Sequence, residues 1–93
     1  MNIDYLFVNT INKWMIGKNI SSCFYEPTSI NSVFCQIIIG DFSIYLEAFS
    51  NETVLTFFRD KDCELAYAGN TKDCLDKITN LITTKKENHE KTA

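Results

Sequence analysis

The chain is poor in the residues that mark flexible, fibrous or repetitive proteins. Its 93 residues include one proline and three glycines, which excludes collagen-like and low-complexity classes. The apolar fraction of 45% and the charged fraction of 23% are those of an ordinary globular protein, which excludes an intrinsically disordered chain. Because a domain commonly takes on the order of 100–200 residues, the sequence predicts one domain of modest stability.

Long apolar runs are also missing. The longest, from Val33 to Ile39, is interrupted by Gln36 and is far shorter than the roughly 20 residues that a membrane-spanning helix needs. Asp4 precedes Lys13, the first basic residue, so the N-terminus is not expected to be a secretory signal peptide. The sequence therefore predicts a cytoplasmic protein without a membrane partner.

The chemistry-bearing residues are few and scattered. The four cysteines form no CxxC pair, so we expect small buried thiols in a reducing compartment rather than a disulfide framework or a zinc site. The single histidine, His89, lies in a polar C-terminal segment and cannot anchor a Ser-His-Asp or Cys-His arrangement. The glycines are isolated, and no glycine-rich phosphate-binding loop is present. We expect no enzyme, no catalytic residue, no cofactor and no metal.

The charge is unevenly distributed. Residues 19–76 contain nine acids and three bases, although the whole chain has a net charge of only −3. A protein that binds a nucleic-acid backbone needs a basic surface that neutralises several phosphates. The central part of this chain has the opposite sign, so direct binding of DNA or RNA is not expected.

Two segments have helical periodicity. Apolar residues recur at three- and four-residue steps over residues 3–16, and Gly17 follows as a stop signal. A second helix is predicted to begin at Thr71 as its N-cap and to end at Lys85 and Lys86. The predicted domain spans residues 1–86, and residues 87–93 are predicted to be a flexible polar tail.

The region between the helices is predicted to be β. Five runs rich in β-branched and aromatic residues are separated by short polar turns, and residues 27–31 are predicted to form a loop. The predicted strands are 20–26, 32–39, 42–49, 53–59 and 63–68. The order α-β-β-β-β-β-α favours an α+β fold, in which a four- to five-stranded antiparallel meander has both terminal helices packed on one face.

One hairpin has a well-specified register. A two-residue turn at Gly40-Asp41 pairs Ile39 with Phe42, and it also pairs Ile37 with Ile44, Cys35 with Leu46 and Val33 with Ala48. All of these residues are apolar and share one face, which a slip by one residue would scramble. The sequence does not decide the register of the last hairpin, since a three-residue loop pairs Phe57 with Leu65 and a two-residue loop pairs Val54 with Tyr67.

The opposite face of the sheet is unusually aromatic. It is predicted to carry Phe34, Ile38 and Tyr45, with Phe49 or Phe58 as a further ring. Aromatic side chains beside acidic ones are typical of a protein-binding surface, whereas an uncovered sheet face is normally polar. The alternative is that this face is covered by a second copy of the chain, or by loop and tail residues of the same chain. The candidate partner-binding residues are Phe34, Tyr45, Glu47, Asp60 and Asp62.

Two resemblances indicate a class of partner. The segment from Tyr67 to Leu75, a strand that runs into a threonine-capped helix, looks like the end of many immunity domains. The isoleucine-, asparagine- and lysine-rich composition resembles that of AT-rich mobile-element genes. Toxin-immunity and phage anti-defence proteins are small, acidic and without catalytic residues. These resemblances imply an inhibitor that binds a toxin, a defence complex or another large enzyme.

A different class is the alternative. Residues 3–58, with an N-terminal helix, a short strand and the hairpin around Ile39-Gly40-Asp41-Phe42, are similar to the start of type III secretion chaperones. That resemblance implies a small acidic dimer that binds an unfolded effector segment. The identity of the proteins that co-purify with the chain discriminates between the two classes.

Overall fold

The computed structural model describes residues 3–29 and 32–92, with side chains for 6–29 and 32–83. Along the chain, one helix precedes five strands and a second helix follows them. The elements are α1 (Ile3–Met15), β1 (Ser22–Ser29), β2 (Ser32–Ile39), β3 (Phe42–Ala48), β4 (Thr53–Arg59), β5 (Asp62–Gly69) and α2 (Thr71–Thr92). The strands form one sheet in the order β1-β2-β3-β4-β5, and every neighbouring pair is antiparallel. The predicted α+β meander with a helix at each end is confirmed.

The core lies between the helices and one face of the sheet. Alternate residues of the three central strands are buried on this face, as expected when only one side of a sheet is covered. Both helices contribute to the same apolar cluster, α1 through Phe7 and Ile11 and α2 through Cys74, Leu75 and Ile78. The strand residues in the cluster are Val33, Cys35, Ile37, Ile44, Leu46, Ala48, Leu55 and Phe57. The predicted placement of both helices on one face is therefore correct.

The β2–β3 hairpin has the predicted register. Ile39 is opposite Phe42, Ile37 is opposite Ile44 and Cys35 is opposite Leu46. Gly40 opens the turn with a φ of +57°, a left-handed conformation that glycine adopts without the steric cost of a Cβ. The turn residue and the apolar alternation thus specify the same pairing.

The last hairpin combines parts of both predicted alternatives. Its turn contains two residues, Asp60 and Lys61, so Arg59 is opposite Asp62. A bulge next to the turn then shifts the register, and Phe57 pairs with Leu65 while Val54 pairs with Ala68. A bulge sets two residues of one strand against one of its partner, which is why turn length alone did not decide the pairing.

The first strand differs from its prediction. Pro27 lies inside β1, opposite Val33, and the strand continues to Ser29. A strand at the edge of a sheet tolerates proline because its outer amides need no ladder partner, and a register shift follows directly after Pro27. The prediction of a loop over 27–31 is wrong for 27–29, and residues 30 and 31 lie outside the described residues.

The second helix differs at both ends. Its N-cap is Asn70 rather than Thr71, because the Asp73 backbone N–H donates to Asn70 Oδ1 at 2.8 Å. Thr71 Oγ1 instead shares a hydrogen bond of 2.7 Å with Thr53 Oγ1 of β4. The helix continues to Thr92, since neither glycine nor proline interrupts residues 71–92. The predicted end at Lys86 is wrong, and Ala93 lies outside the described residues.

A side-chain hydrogen bond joins the helices above the core. Trp14 Nε1 donates to Thr79 Oγ1 at 2.9 Å, and Thr79 Oγ1 donates in turn to the Leu75 carbonyl at 3.0 Å. After α1, Gly17 has a φ of +79° and reverses the chain toward β1. Within the described part of the chain, neither helix is long and apolar enough to cross a bilayer.

Candidate protein-binding surface

The face of the sheet opposite the helices, here the open face, is defined by the strand register. Its rows run across the strands because paired residues project to the same side of an antiparallel sheet. The two central rows are Phe24, Gln36, Tyr45, Thr56 and Ala66, and Glu26, Phe34, Glu47, Val54 and Ala68; a third row includes Ser22, Ile38, Ser43 and Phe58. Four aromatic rings therefore lie on a surface that an uncovered sheet would normally fill with polar residues.

These four rings form a continuous series of ring contacts across the sheet, here the aromatic stripe. The ring centroids of Phe24 and Phe34 are 6.3 Å apart, those of Phe34 and Tyr45 are 5.9 Å apart, and those of Tyr45 and Phe58 are 5.7 Å apart. The Phe34 and Tyr45 rings are stacked at 23°, whereas Tyr45 meets Phe58 edge to face at 77°. The stripe crosses β1, β2, β3 and β4, because diagonal neighbours on adjacent strands come within reach of aromatic side chains.

Three of the predicted binding residues meet on the open face. Phe34 stacks on Tyr45, and Glu47 is the cross-strand partner of Phe34. The Thr28 hydroxyl donates to Glu47 Oε2 at 3.0 Å and restrains that carboxylate. The sequence therefore correctly grouped the central part of this surface.

Asp60 and Asp62 lie at one end of the sheet rather than beside the stacked pair. The Asp60 N–H donates to the Asp41 carbonyl at 3.0 Å, which brings the β4–β5 and β2–β3 turns together. Asp41, Asp60 and Asp62 are exposed there and form what is here called the acidic corner. Phe58, two residues before Asp60, connects the corner to the aromatic stripe. The predicted site thus has two parts.

Phe24 belongs to the stripe and was missed from the sequence. It is 44% exposed, while its neighbour Tyr25 lies on the covered face, with its ring 6.4 Å from that of Phe7. The alternation along β1 contained this information, but it became usable only once β1 was paired with β2. The structure also resolves the open choice for a further ring: Phe58 is in the stripe, and Phe49 follows β3 in a loop.

The charges on the open face have one sign. Its rows contain Glu26 and Glu47 and no lysine or arginine. Among the described side chains, the ion pair found is that of Arg59 Nε with Glu64 Oε2, at 3.7 Å. The two open-face glutamates are therefore not neutralised by a described cation, and they give the stripe an acidic border.

Two cavities lie on the helix side of the molecule. The first, of about 450 Å³, is between the start of α1, the β3–β4 loop and the start of α2, with exposed Leu6 and Phe49 among its lining residues. The second, of about 400 Å³, lies between Lys18, Ile39 and Ile82. In the described part of the chain, no group of three or more His, Cys, Asp or Glu residues could hold a metal ion. Neither cavity brings together a recognisable catalytic arrangement.

All four cysteines are free thiols. Cys35 and Cys74 are buried and Cys23 is half-buried, as predicted for thiols in or near a core, but the prediction is wrong for Cys63, which is exposed. Cys63 begins the bulge in the edge strand β5, where no helix covers it. Burial, aided by the nearby Asp73 carboxylate, raises the pKa of Cys74 to about 11, and burial also raises the pKa of Cys35 strongly.

Comparisons of this chain with protein-family models, with curated proteins and with solved structures found no match.

Proposed function

We propose that this protein is a non-enzymatic protein-binding module, a small inhibitor that blocks a larger enzyme or complex of the toxin or defence type. The observation that carries the proposal is the aromatic stripe on the open face. Aromatic side chains supply large, rigid contact area and dominate the energetic centres of protein interfaces. Here the pairing of the strands already holds the rings in position, so little conformational freedom is lost on binding.

The size of the open face supports a contact that includes the acidic corner. Five strands about 4.8 Å apart and seven residues long give a projected face of roughly 20 by 23 Å. A stable interface of ordinary size buries about 800 Å² on each partner. The partner therefore also contacts neighbouring surface, and Asp60 and Asp62, close to Phe58, extend the face at the acidic corner.

The acidic charge favours a partner with a basic surface. Residues 19–76 carry an excess of six acids over bases, and such a field accelerates encounter with an oppositely charged protein. Enzymes that act on nucleic acids present basic surfaces of this kind. An inhibitor of such an enzyme would occupy the basic surface, while direct nucleic-acid binding by this chain is disfavoured by the same charges.

The secretion-chaperone alternative receives less support from the architecture. Those chaperones dimerise through a central helix, whereas the described helices of this chain flank the five strands and none interrupts them. The open face could instead bind a second copy of the chain, and that alternative is distinguishable by the oligomeric state. A cytoplasmic location fits four free thiols, two of them deeply buried.

The proposal is tested by purifying the tagged protein from its native cells as wild type, as Tyr45→Ala and as Asn80→Ala. Asn80 is exposed on α2, so its variant controls for tag, expression and a surface change elsewhere. We expect a stoichiometric partner with wild type and Asn80→Ala that is lost with Tyr45→Ala. The purified chain should also lower the activity of that partner.

Two results would contradict the proposal. A partner retained by a folded Tyr45→Ala variant would mean that the binding surface lies elsewhere. A partner that keeps full activity in the complex, or that proves to be a secreted effector, would exclude the inhibitor and favour the chaperone.

A further inference from the structure

One row of the open face has an arrangement suited to a particular side chain. Phe34 lies between two glutamates, with Glu26 as its partner on β1 and Glu47 as its partner on β3. The neighbouring row adds Tyr45, whose ring stacks on Phe34 at 23°. The result is a stacked aromatic pair in which Phe34 has a glutamate on each side.

The positions of the two glutamates allow both to reach one planar cation. Adjacent strands are about 4.8 Å apart, so the backbones of Glu26 and Glu47 are separated by about 10 Å. Glutamate side chains on backbones this far apart can both reach one guanidinium group placed beside Phe34, with hydrogen bonds of about 2.9 Å. Guanidinium also stacks on aromatic faces and binds carboxylates through paired N–H donors, which a lysine ammonium cannot do in the same geometry.

Resting on the proposed protein-binding function, we propose that the open face receives an arginine side chain of the partner. The guanidinium lies against the Phe34 and Tyr45 rings and donates to Glu26 and Glu47, while Phe24 and Phe58 contact apolar residues around it. Charge complementarity carries the assignment, because the rows of the face contain two glutamates and no basic residue.

The same charge argues against a second copy as the occupant. A face-to-face dimer would bring Glu26 and Glu47 of one chain toward the same residues of the other and supply no cation from either face. Like charges confined in an interface are costly. A partner surface with arginine among apolar side chains satisfies both the carboxylates and the rings.

A peptide selection tests the inference without knowledge of the natural partner. A random peptide library is selected on the wild-type protein after depletion on the folded double variant Glu26→Gln/Glu47→Gln. Selected peptides are then synthesised with arginine, with lysine and with citrulline, which keeps the shape of arginine and lacks its charge. Binding is titrated by NMR, which also maps the contact, and Asp76→Asn on the exposed side of α2 serves as the control.

We expect arginine-containing peptides that shift the Phe34 and Tyr45 signals. Replacement by citrulline, or use of the double variant, should weaken binding about tenfold or more, and lysine should weaken it several-fold. Asp76→Asn should bind like wild type. Peptides without arginine, or equal binding of the citrulline form, would overturn the arginine assignment.

The outcomes also separate this inference from the proposed function. One outcome is that peptides bind the stripe and lose affinity with Tyr45→Ala, yet bind the double glutamate variant as tightly as wild type. In that case the surface binds protein and only the arginine assignment fails. If the selected peptides bind elsewhere and Tyr45→Ala has no effect, both proposals fail. A stable dimer that dissociates when Tyr45 is replaced by alanine would show that a second copy of the chain occupies the open face, and it would overturn the inference.

Discussion

Tyr45 and Leu46 are neighbours in β3, yet their side chains lie on opposite faces of the sheet. Leu46 is fully buried beneath the helices, whereas the Tyr45 ring lies on the open face between Phe34 and Phe58. The alternation of a strand thus assigns one residue to folding and the next to the candidate binding surface. Substitutions at these two positions should separate stability from binding.

Leu46→Ala should lower the free energy of unfolding by about 2–5 kcal/mol, because it removes buried methyl groups and leaves a cavity between sheet and helices. Small domains are stable by only about 5–15 kcal/mol. Urea unfolding followed by circular dichroism measures the effect. Glu52→Ala on the exposed β3–β4 loop is the control and should change stability by less than about 0.5 kcal/mol. A cost for Leu46→Ala as small as that of the control would contradict the assigned core.

Tyr45→Ala should weaken binding and leave the stability of the fold nearly unchanged, the reverse of what is expected for Leu46→Ala. Loss of a ring at the centre of the stripe should weaken the complex with the protein partner by about 2 kcal/mol or more. The fold should persist, because the core beneath the helices is untouched. A binding titration with circular dichroism on the same samples checks both statements. Unchanged affinity in a folded variant would show that the ring is outside the interface.

Glu47→Lys should mainly slow association with a basic partner. Reversal of this charge weakens long-range attraction, and the effect should shrink at high salt, since screening acts beyond roughly 8–10 Å. Stopped-flow association rates at two salt concentrations measure it. Asp76→Lys makes the same change in net charge on the helix side of the molecule, and it should slow association less. Equal slowing by both variants would mean that only net charge matters.

The Trp14–Thr79 hydrogen bond should contribute measurably to the packing of the two helices. A double-mutant cycle with Trp14→Phe and Thr79→Ala isolates this interaction, and we expect a coupling free energy of about 0.5–1.5 kcal/mol. Urea unfolding of the four proteins gives the value. Additive effects of the two substitutions would indicate that the bond does not stabilise the fold.

The four thiols should react in an order set by burial. Cys63 should be alkylated first in the native protein, while Cys35 and Cys74 should react only after unfolding, because both are buried and burial raises the pKa of each. Timed iodoacetamide labelling with peptide mass spectrometry follows each site. A reductant should leave the melting temperature unchanged. Rapid native labelling of Cys74, or a melting temperature lowered by reductant, would contradict the thiol assignments.

The raised pKa of Cys74 also has a consequence for stability at alkaline pH. Its folded pKa of about 11 lies above the ordinary value of 9.0, so the unfolded chain loses this proton first. The contribution to stability is present below pH 9 and is lost as the pH rises toward 11. Cys74→Ala should therefore flatten the fall in stability over this range, as measured by urea unfolding at several pH values. An unchanged pH profile would contradict the shift.

Local patterns were sufficient for most of the fold. The three- and four-residue spacing predicted both helices, and the alternation around Gly40-Asp41 predicted both the register of the hairpin and its buried face. Those features depend on residues close together in sequence. The same alternation correctly placed Phe34, Tyr45 and Glu47 together on the open face.

Other features depended on contacts between residues far apart or on competition between equivalent groups. The bulge after Phe57, the position of Pro27 inside an edge strand and the choice of Asn70 over Thr71 as N-cap are of this kind. Thr71 had the right side chain for a cap, but its hydroxyl is engaged by Thr53 on the neighbouring strand. A sequence pattern contains the candidates for such bonds and not the geometry that selects among them.

The amino-acid sequence by itself determined the order of elements, the buried face of the sheet and the acidic, aromatic character of the face left over, because each follows from short-range periodicity and composition. Only the tertiary structure brought Phe24 into contact with Phe34 and Phe58 into contact with Tyr45, and only it brought Asp60 to Asp41 at one end of the sheet. The physical reason is that a stripe across four strands depends on the registers of three separate strand pairs, and the pairing of β1 with β2 shifts its register next to a proline.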